Sequence, residues 1–441
     1  MHPVGAEPRP GVHVTPPSGW LNDPVGGLVH RGRQHLFYQY VPSSTRWQVS
    51  CHWAHLVGDD LVRWRHLPVA LAPDDEDDGI WSGSAVMDRS GPVLLYTSVL
   101  DPHLDLGRIA LARPVDGDLV GWRKHAGGPV LEPPGDLGLT HFRDPFVWGT
   151  TGDWRMVVGA GLRGRGGAVL RYASRDLEDW RFEGVLAEGG AEPGLGDVWE
   201  CPQYVDLDGE PALIVSVWAG GRLDRVVAAR GTDRRQFVPG RWETLGHGGS
   251  AYALTTYRDR EGRLVGTAWL RHDDPQADRL DWTGALSLPV HITRGDGGRI
   301  RLAPHPDVDT LRGPRLEPDG DGVDVTGDGP VDGLADLEVD LPGGSQLCLD
   351  TDSAPVLLSA GDGVLIVESE GRSSAVQTTA SRPLALRVIV DRGVVEAWTA
   401  DGRWIALRVP YLRVRRARVR GGGRLQAWRL DPVQAGPVPR G

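Results

Sequence analysis

Apolar positions along this chain fall into short runs of strand length, and the 3.6-residue spacing of an amphipathic helix is scarce. The clearest runs are His35–Tyr40, Pro92–Thr97, Trp154–Gly159, Ala212–Val217 and Leu264–Trp269. Turn signals such as Arg31-Gly32-Arg33 and Asp208-Gly209-Glu210 separate paired runs, so the pattern predicts hairpins recurring at roughly 50–60-residue intervals. A weak repeat supports this reading. Asp60-Leu61-Val62-Arg63-Trp64 resembles Asp118-Leu119-Val120-Gly121-Trp122 and Asp176-Leu177-Glu178-Asp179-Trp180. The recurring Trp is expected to pack on an outer strand. Counting units gives about five between residues 15 and 305, and repeated antiparallel sheets of this kind predict a β-propeller. A single continuous barrel is the competing all-β reading and explains the repeat less well.

The pattern changes after Pro304. Residues 313–333 are rich in Gly, Asp and Pro and read as a linker. Strand-like runs resume at Leu337–Leu341 and continue through Val364–Glu368 and Leu386–Asp391, which predicts a small β-sandwich. The expected division is a propeller over 1–312, a linker over 313–333 and a sandwich over 334–441.

Composition narrows the function classes. Gly 61 and Pro 34 suit many short strands joined by turns. A net charge of −11 argues against nucleic-acid or anionic-membrane partners. Three widely spaced cysteines form neither a disulfide framework nor a metal cluster. His52 and His55 lack a third ligand at a plausible spacing, so no metal or other cofactor is expected. No run of about 18 apolar residues exists, and the first residues show no secretory leader pattern. The expected setting is the cytoplasm.

Three carboxylate motifs carry the chemistry: Trp20-Leu21-Asn22-Asp23-Pro24, Phe142-Arg143-Asp144-Pro145 and Trp199-Glu200-Cys201-Pro202. Each sets an acid near a proline. Proline cannot donate to a strand ladder, so each acid is expected at a strand end or turn. Three such acids converge if the intervening segments are equivalent units around a common centre. Paired carboxylates are the usual chemistry for cleaving glycosidic bonds.

These motifs, with His35–Tyr40, His52-Trp53-Ala54-His55, Trp81-Ser82-Gly83-Ser84 and Val390–Trp398, resemble in order and spacing glycoside hydrolase family 32, the invertase, levanase and inulinase group. The resemblance covers nearly the whole chain. It implies a five-bladed propeller followed by a sandwich and a retaining attack on a β-fructofuranosyl unit of sucrose or a fructo-oligosaccharide. Asp23 then resembles the nucleophile, Glu200 the general acid/base, and Asp144 the acid that stabilises the transition state through sugar hydroxyls. Asn22, Gln39, Trp47, Trp81, Ser82, Arg143, Tyr252 and Trp269 match or approximate fructose-contacting positions. The retaining scheme places the Asp23 and Glu200 carboxyls about 5–5.5 Å apart.

The sequence departs from the family at Val25, Gln203, Ser250 and His291, which bears on substrate preference. A fructosyltransferase or difructose-anhydride enzyme would share the same intermediate. A non-catalytic carbohydrate-binding propeller and a related family acting on arabinose or xylose polymers are the other readings. A homodimer through the sandwich is a further possibility.

Overall fold

The computed structural model describes residues 8–190, 192–231, 237–271, 277, 280–328, 332–379, 383–409 and 411–433. It is nearly all β, with two short 3-10 helices, Asp296–Gly298 and Pro306–Leu311, among the described residues. Up to residue 304 the strands form five successive antiparallel sheets. Their first strands are β1 (Gly19–His30), β2 (Gly79–Asp88), β3 (Leu139–Thr150), β4 (Val198–Leu207) and β5 (Ala251–Arg258). Each first strand touches the next, and β5 touches β1, so the five make a closed ring of contacts. The short strand Trp282–Thr283 returns to pair in parallel with β1, at Gly19 and Trp20.

The apolar runs read from the sequence are the second strands: Arg33–Val41, Gly91–Val99, Asp153–Leu162, Glu210–Ala219 and Leu264–Leu270. Nearly every residue in them is buried. Strands covered on both faces need apolar side chains in both directions, which explains continuous runs where alternation would suit a half-exposed strand. The repeated Trp residues open outer strands, as expected. Trp64, Trp122 and Trp180 each donate their indole N–H to the carbonyl of Leu61, Leu119 or Leu177, at 2.9–3.0 Å. The sequence repeat is thus a repeated corner that leads into the outer strand of the first three sheets.

The acids do not sit at strand ends, as the prolines suggested. Asp23, Asp144 and Glu200 lie inside β1, β3 and β4. The difference has a clear cause. Pairing between first and second strands is interrupted at Asn22-Asp23, Ser82, Asp144-Pro145, Cys201-Pro202 and Ala253-Leu254. A bulge leaves a residue outside the ladder, so a proline costs no hydrogen bond there. Asp144, Cys201 and Ala253 take φ values of 66°, 47° and 50°. This left-handed backbone re-aims the neighbouring side chains. Close approach of β4 to the third sheet also depends on Gly159, where a Cβ would meet the Trp199 carbonyl at 2.3 Å.

Two six-stranded sheets follow and share one apolar core that includes Leu337, Val388, Leu347 and Leu358. The segment read as a linker contributes to both. Arg312–Leu316 pairs with Arg424–Leu430, and Gly322–Asp324 pairs with Val414–Arg420. Its Gly and Pro content hid these strands because edge strands tolerate both residues. A second core runs across the boundary, joining Leu254, Ile292 and Leu302 to Ile389, Trp398 and Trp404.

Candidate active site

Each of the five first strands sends a residue at or beside its bulge to one cavity of about 420 Å³, a size suited to a small sugar. Asp23, Asp144 and Glu200 line it, with Asn22, Gln39, Trp47, Trp81, Arg143, Tyr252 and Trp269. Ser82 reaches it through Asp23. The structure therefore brings together every site residue expected from the sequence.

Asp23 is held by short polar contacts. Ser82 Oγ donates to its Oδ2 at 2.6 Å, and Asn22 Nδ2 to its Oδ1 at 3.2 Å. Gln39 organises both donors: its Oε1 accepts from Asn22 at 2.8 Å and its Nε2 donates to Ser82 at 2.6 Å. Burial raises Asp23 to about 6, against the Ser82 hydrogen bond and with help from the charge of Glu200.

Asp144 lies deeper, 4% exposed. Its Oδ2 accepts the Cys201 backbone N–H at 2.9 Å, and its own N–H donates to Thr97 Oγ1 at 2.8 Å. Burial raises Asp144 to about 7. Arg143 opposes the rise, and the charges of Glu200 and Asp23 add to it.

Glu200 is gripped from both sides. Arg143 Nε and Nη2 each lie 3.0 Å from Oε1, and Tyr252 Oη donates to Oε2 at 2.5 Å. The buried Arg143 guanidinium packs between two rings, 5.2 Å from the Trp218 centroid and 5.8 Å from that of Trp81. Burial disfavours its charge, but Glu200 and Asp144 outweigh that and raise it. Cys201 faces the other two acids. Its Sγ lies 3.4 Å from Asp23 Oδ2 and 3.6 Å from Asp144 Oδ2, and burial pushes the thiol well up, so it stays protonated beside both acids.

Aromatic side chains build the walls. Trp20 meets Trp269 edge-on at 5.6 Å, and Trp47 meets Trp81 edge-on at 5.6 Å. Trp47 is 46% exposed and stands at the mouth. Such rings offer apolar faces to a sugar while the carboxylates take its hydroxyls.

Residues 13–306 match the model of the glycosyl hydrolases family 32 N-terminal domain. The chain belongs to glycoside hydrolase family 32. A sucrose-6-phosphate hydrolase of Escherichia coli is 32% identical over 327 residues, which cover 69% of this chain and 66% of the relative. A raffinose invertase of the same organism is 36% identical over 317 residues, 68% of this chain and 65% of the relative. The matches thus span just under two thirds of those two relatives. The solved structure of a Bombyx mori family 32 beta-fructofuranosidase superposes with a TM-score of 0.84 at 27% identity, over 98% of this chain and 95% of that one. A Lactobacillus gasseri sucrose-6-phosphate hydrolase, 22% identical, shares the fold with a TM-score of 0.85.

The positions that depart from the family 32 pattern have structural work here. Gln203 Oε1 accepts from Thr256 N at 2.8 Å and Thr256 Oγ1 at 3.0 Å, while its Nε2 donates to the Pro202 carbonyl at 2.9 Å. It ties the bulge of β4 to β5. Ser250 Oγ accepts the Arg408 N–H at 2.9 Å and so contacts the C-terminal sheets. Val25 is core, and His291 lies on the strand Val290–Arg294, outside the cavity lining. His52 and His55 turn to protein partners, the Ser50 carbonyl at 3.0 Å and His35 at 2.9 Å.

Sequence reasoning missed Trp20, Leu104, Asp105, Trp218 and Leu223, which also line the cavity. Trp20 stood in the quoted motif and could have been found there. The other four occupy loops or strand ends outside any motif. Among the described residues no helix is long and apolar enough to cross a membrane.

Proposed function

We propose that this protein is a retaining β-fructofuranosidase that releases terminal fructosyl units from sucrose or short fructo-oligosaccharides. The observation that carries this reading is the meeting of Asp23, Asp144 and Glu200 in one sugar-sized cavity, with separate hydrogen-bond partners for each. The names of the relatives, sucrose-6-phosphate hydrolase, raffinose invertase and beta-fructofuranosidase, support the substrate class. The fold that presents the site is a five-bladed propeller, built from the five sheets between Gly19 and Pro304, followed by a β-sandwich. The closed ring of first-strand contacts supports the propeller, and the shared core of the two last sheets supports the sandwich.

In this scheme the Asp23 carboxylate attacks the anomeric C2 while Glu200 passes a proton to the departing glycosidic oxygen. The C2–O bond breaks and a covalent fructosyl ester forms. Glu200 then takes a proton from water, which attacks C2 and frees Asp23. Ser82 and Asn22 hold Asp23 in position, and Arg143 and Tyr252 set the plane of the Glu200 carboxyl. Asp144 accepts hydrogen bonds from sugar hydroxyls as charge develops on the ring.

The test is fructose release, followed by chromatography, from sucrose, sucrose 6-phosphate, 1-kestose, inulin and levan. Release from sucrose or kestose by the wild type, lost in Asp23→Ala, is the expected result. Glu200→Gln should lower kcat by about 10²–10⁴-fold, the usual worth of an acid/base group. The first fructose formed should be the β anomer by NMR. Release of the α anomer, or substantial activity in Asp23→Ala, would sink the assignment.

A further inference from the structure

The cavity holds one charged residue that the scheme above leaves without a task. Asp105 lines the same space, in the loop between the strands Gly91–Val99 and Arg108–Pro114. Its side chain is 67% exposed, whereas Asp144 is buried. The Asp105 carboxylate faces His141 Nε2 at 3.4 Å, and the His141 ring meets Trp218 edge-on at 5.3 Å.

Three features of this corner point outward from the reacting bond. Trp218 stacks under Arg143, which grips Glu200, so the corner adjoins the acid. The group that donates the proton stands beside the departing oxygen, so its neighbours on the open side face the leaving group. The loop is also anchored. Phe142 N donates to the Asp105 carbonyl at 2.9 Å, and Gly107 N donates to the Phe142 carbonyl at 2.9 Å. Asp105 and His141 are therefore held together by backbone pairing at adjacent positions. A carboxylate on an anchored loop, still open to water, keeps acceptor capacity for ligand hydroxyls.

We propose that Asp105 is the leaving-sugar contact, accepting hydroxyls of the neutral sugar that departs with the glycosidic oxygen. His141 is its positioning residue, and the Trp218 face borders the same subsite. This rests on the fructosidase reading and adds the residues that choose the leaving group. An artificial substrate whose leaving group carries no sugar hydroxyls gains nothing from Asp105.

The experiment compares sucrose with 4-nitrophenyl β-D-fructofuranoside in the wild type, Asp105→Ala and Asp105→Asn. In Asp105→Ala, kcat/KM for sucrose should fall about tenfold, the worth of a lost charge-assisted hydrogen bond. Turnover of the nitrophenyl fructoside should stay within about twofold, because its transition state lacks that contact. Asp105→Asn keeps one acceptor and should show a smaller loss of the same selectivity. His141→Gln should follow Asp105→Asn, with the effect again confined to sucrose. Equal losses on both substrates, or none on sucrose, would overturn the subsite while leaving the fructosidase reading intact. A wild type that cleaves neither substrate would overturn both.

Discussion

At the scale of single residues, Asp23 is set between opposing influences. Burial and the nearby Glu200 disfavour its charge, while the hydroxyl of Ser82 and the amide of Asn22 favour it, and the balance leaves it near 6. A nucleophile must be ionised, so kcat/KM should fall as pH drops through about 6. In Glu200→Gln one source of that upward shift is gone, and the acidic limb of the residual activity should move to lower pH. A limb unchanged in that variant would contradict the coupling. The same shift acts on stability. A carboxyl raised in the folded state favours folding at low pH, and this contribution is lost as pH rises from about 4 through about 6. Asp23→Asn removes the cost of the buried charge. It should raise stability at pH 8 by up to about 2 kcal/mol, reduced because the carboxylate still meets cavity water. Thermal unfolding at pH 8 and pH 4 checks this, with the gain expected only at the higher pH.

At the scale of strands, the site is made by interruptions of regular pairing. Thr97 links two of them. Its hydroxyl donates to the Ser82 carbonyl at 2.9 Å and accepts the Asp144 N–H at 2.8 Å. Thr97→Val keeps the shape and leaves both buried backbone groups without that partner. The expected cost is about 1–3 kcal/mol in urea unfolding, with a drop in kcat because Asp144 loses its anchor. A variant with wild-type kcat would show that Asp144 is held by the Cys201 N–H alone. The bulges also explain a limit of sequence reading. Prolines beside the acids mark positions without a ladder hydrogen bond, and that was legible. Whether such a position is a strand end or a bulge depends on the partner strand, whose facing residues lie 11 or more positions away and are invisible in a local pattern.

At the scale of the whole molecule, a buried ionic cluster fastens the first described residues to both parts of the chain. His13 Nδ1 lies 2.7 Å from Asp391 and its Nε2 lies 2.9 Å from Glu396. Asp391 also accepts the backbone N–H groups of Gly11, Val12 and His13, while Glu396 accepts from Leu288 N and Trp404 Nε1. Burial alone would lower His13, but its two carboxylate partners outweigh that and raise it to about 9. The resulting stabilisation is full below about 6.5 and is lost as pH rises through about 9. His13→Gln should therefore be destabilised by about 3–5 kcal/mol at pH 6, the usual cost of breaking a buried pair. The gap to wild type should narrow by pH 10. A gap that does not change with pH would show that His13 is neutral in the fold.

What the sequence determined by itself was the all-β class, the fivefold recurrence, the three acids and most of the cavity wall. These survive in one dimension because apolar runs, turn residues and carboxylate–proline motifs are local signals. Tertiary structure alone decided the rest. Asp105 and Trp218 reach the cavity from segments with no motif, because a loop's destination depends on the sheet that carries it. The strands within residues 312–324 exist only by pairing with strands about 90–120 residues later in the chain. The short hydrogen bonds around Asp23 and Glu200 join residues from five different sheets, and no local preference encodes a distance between sheets.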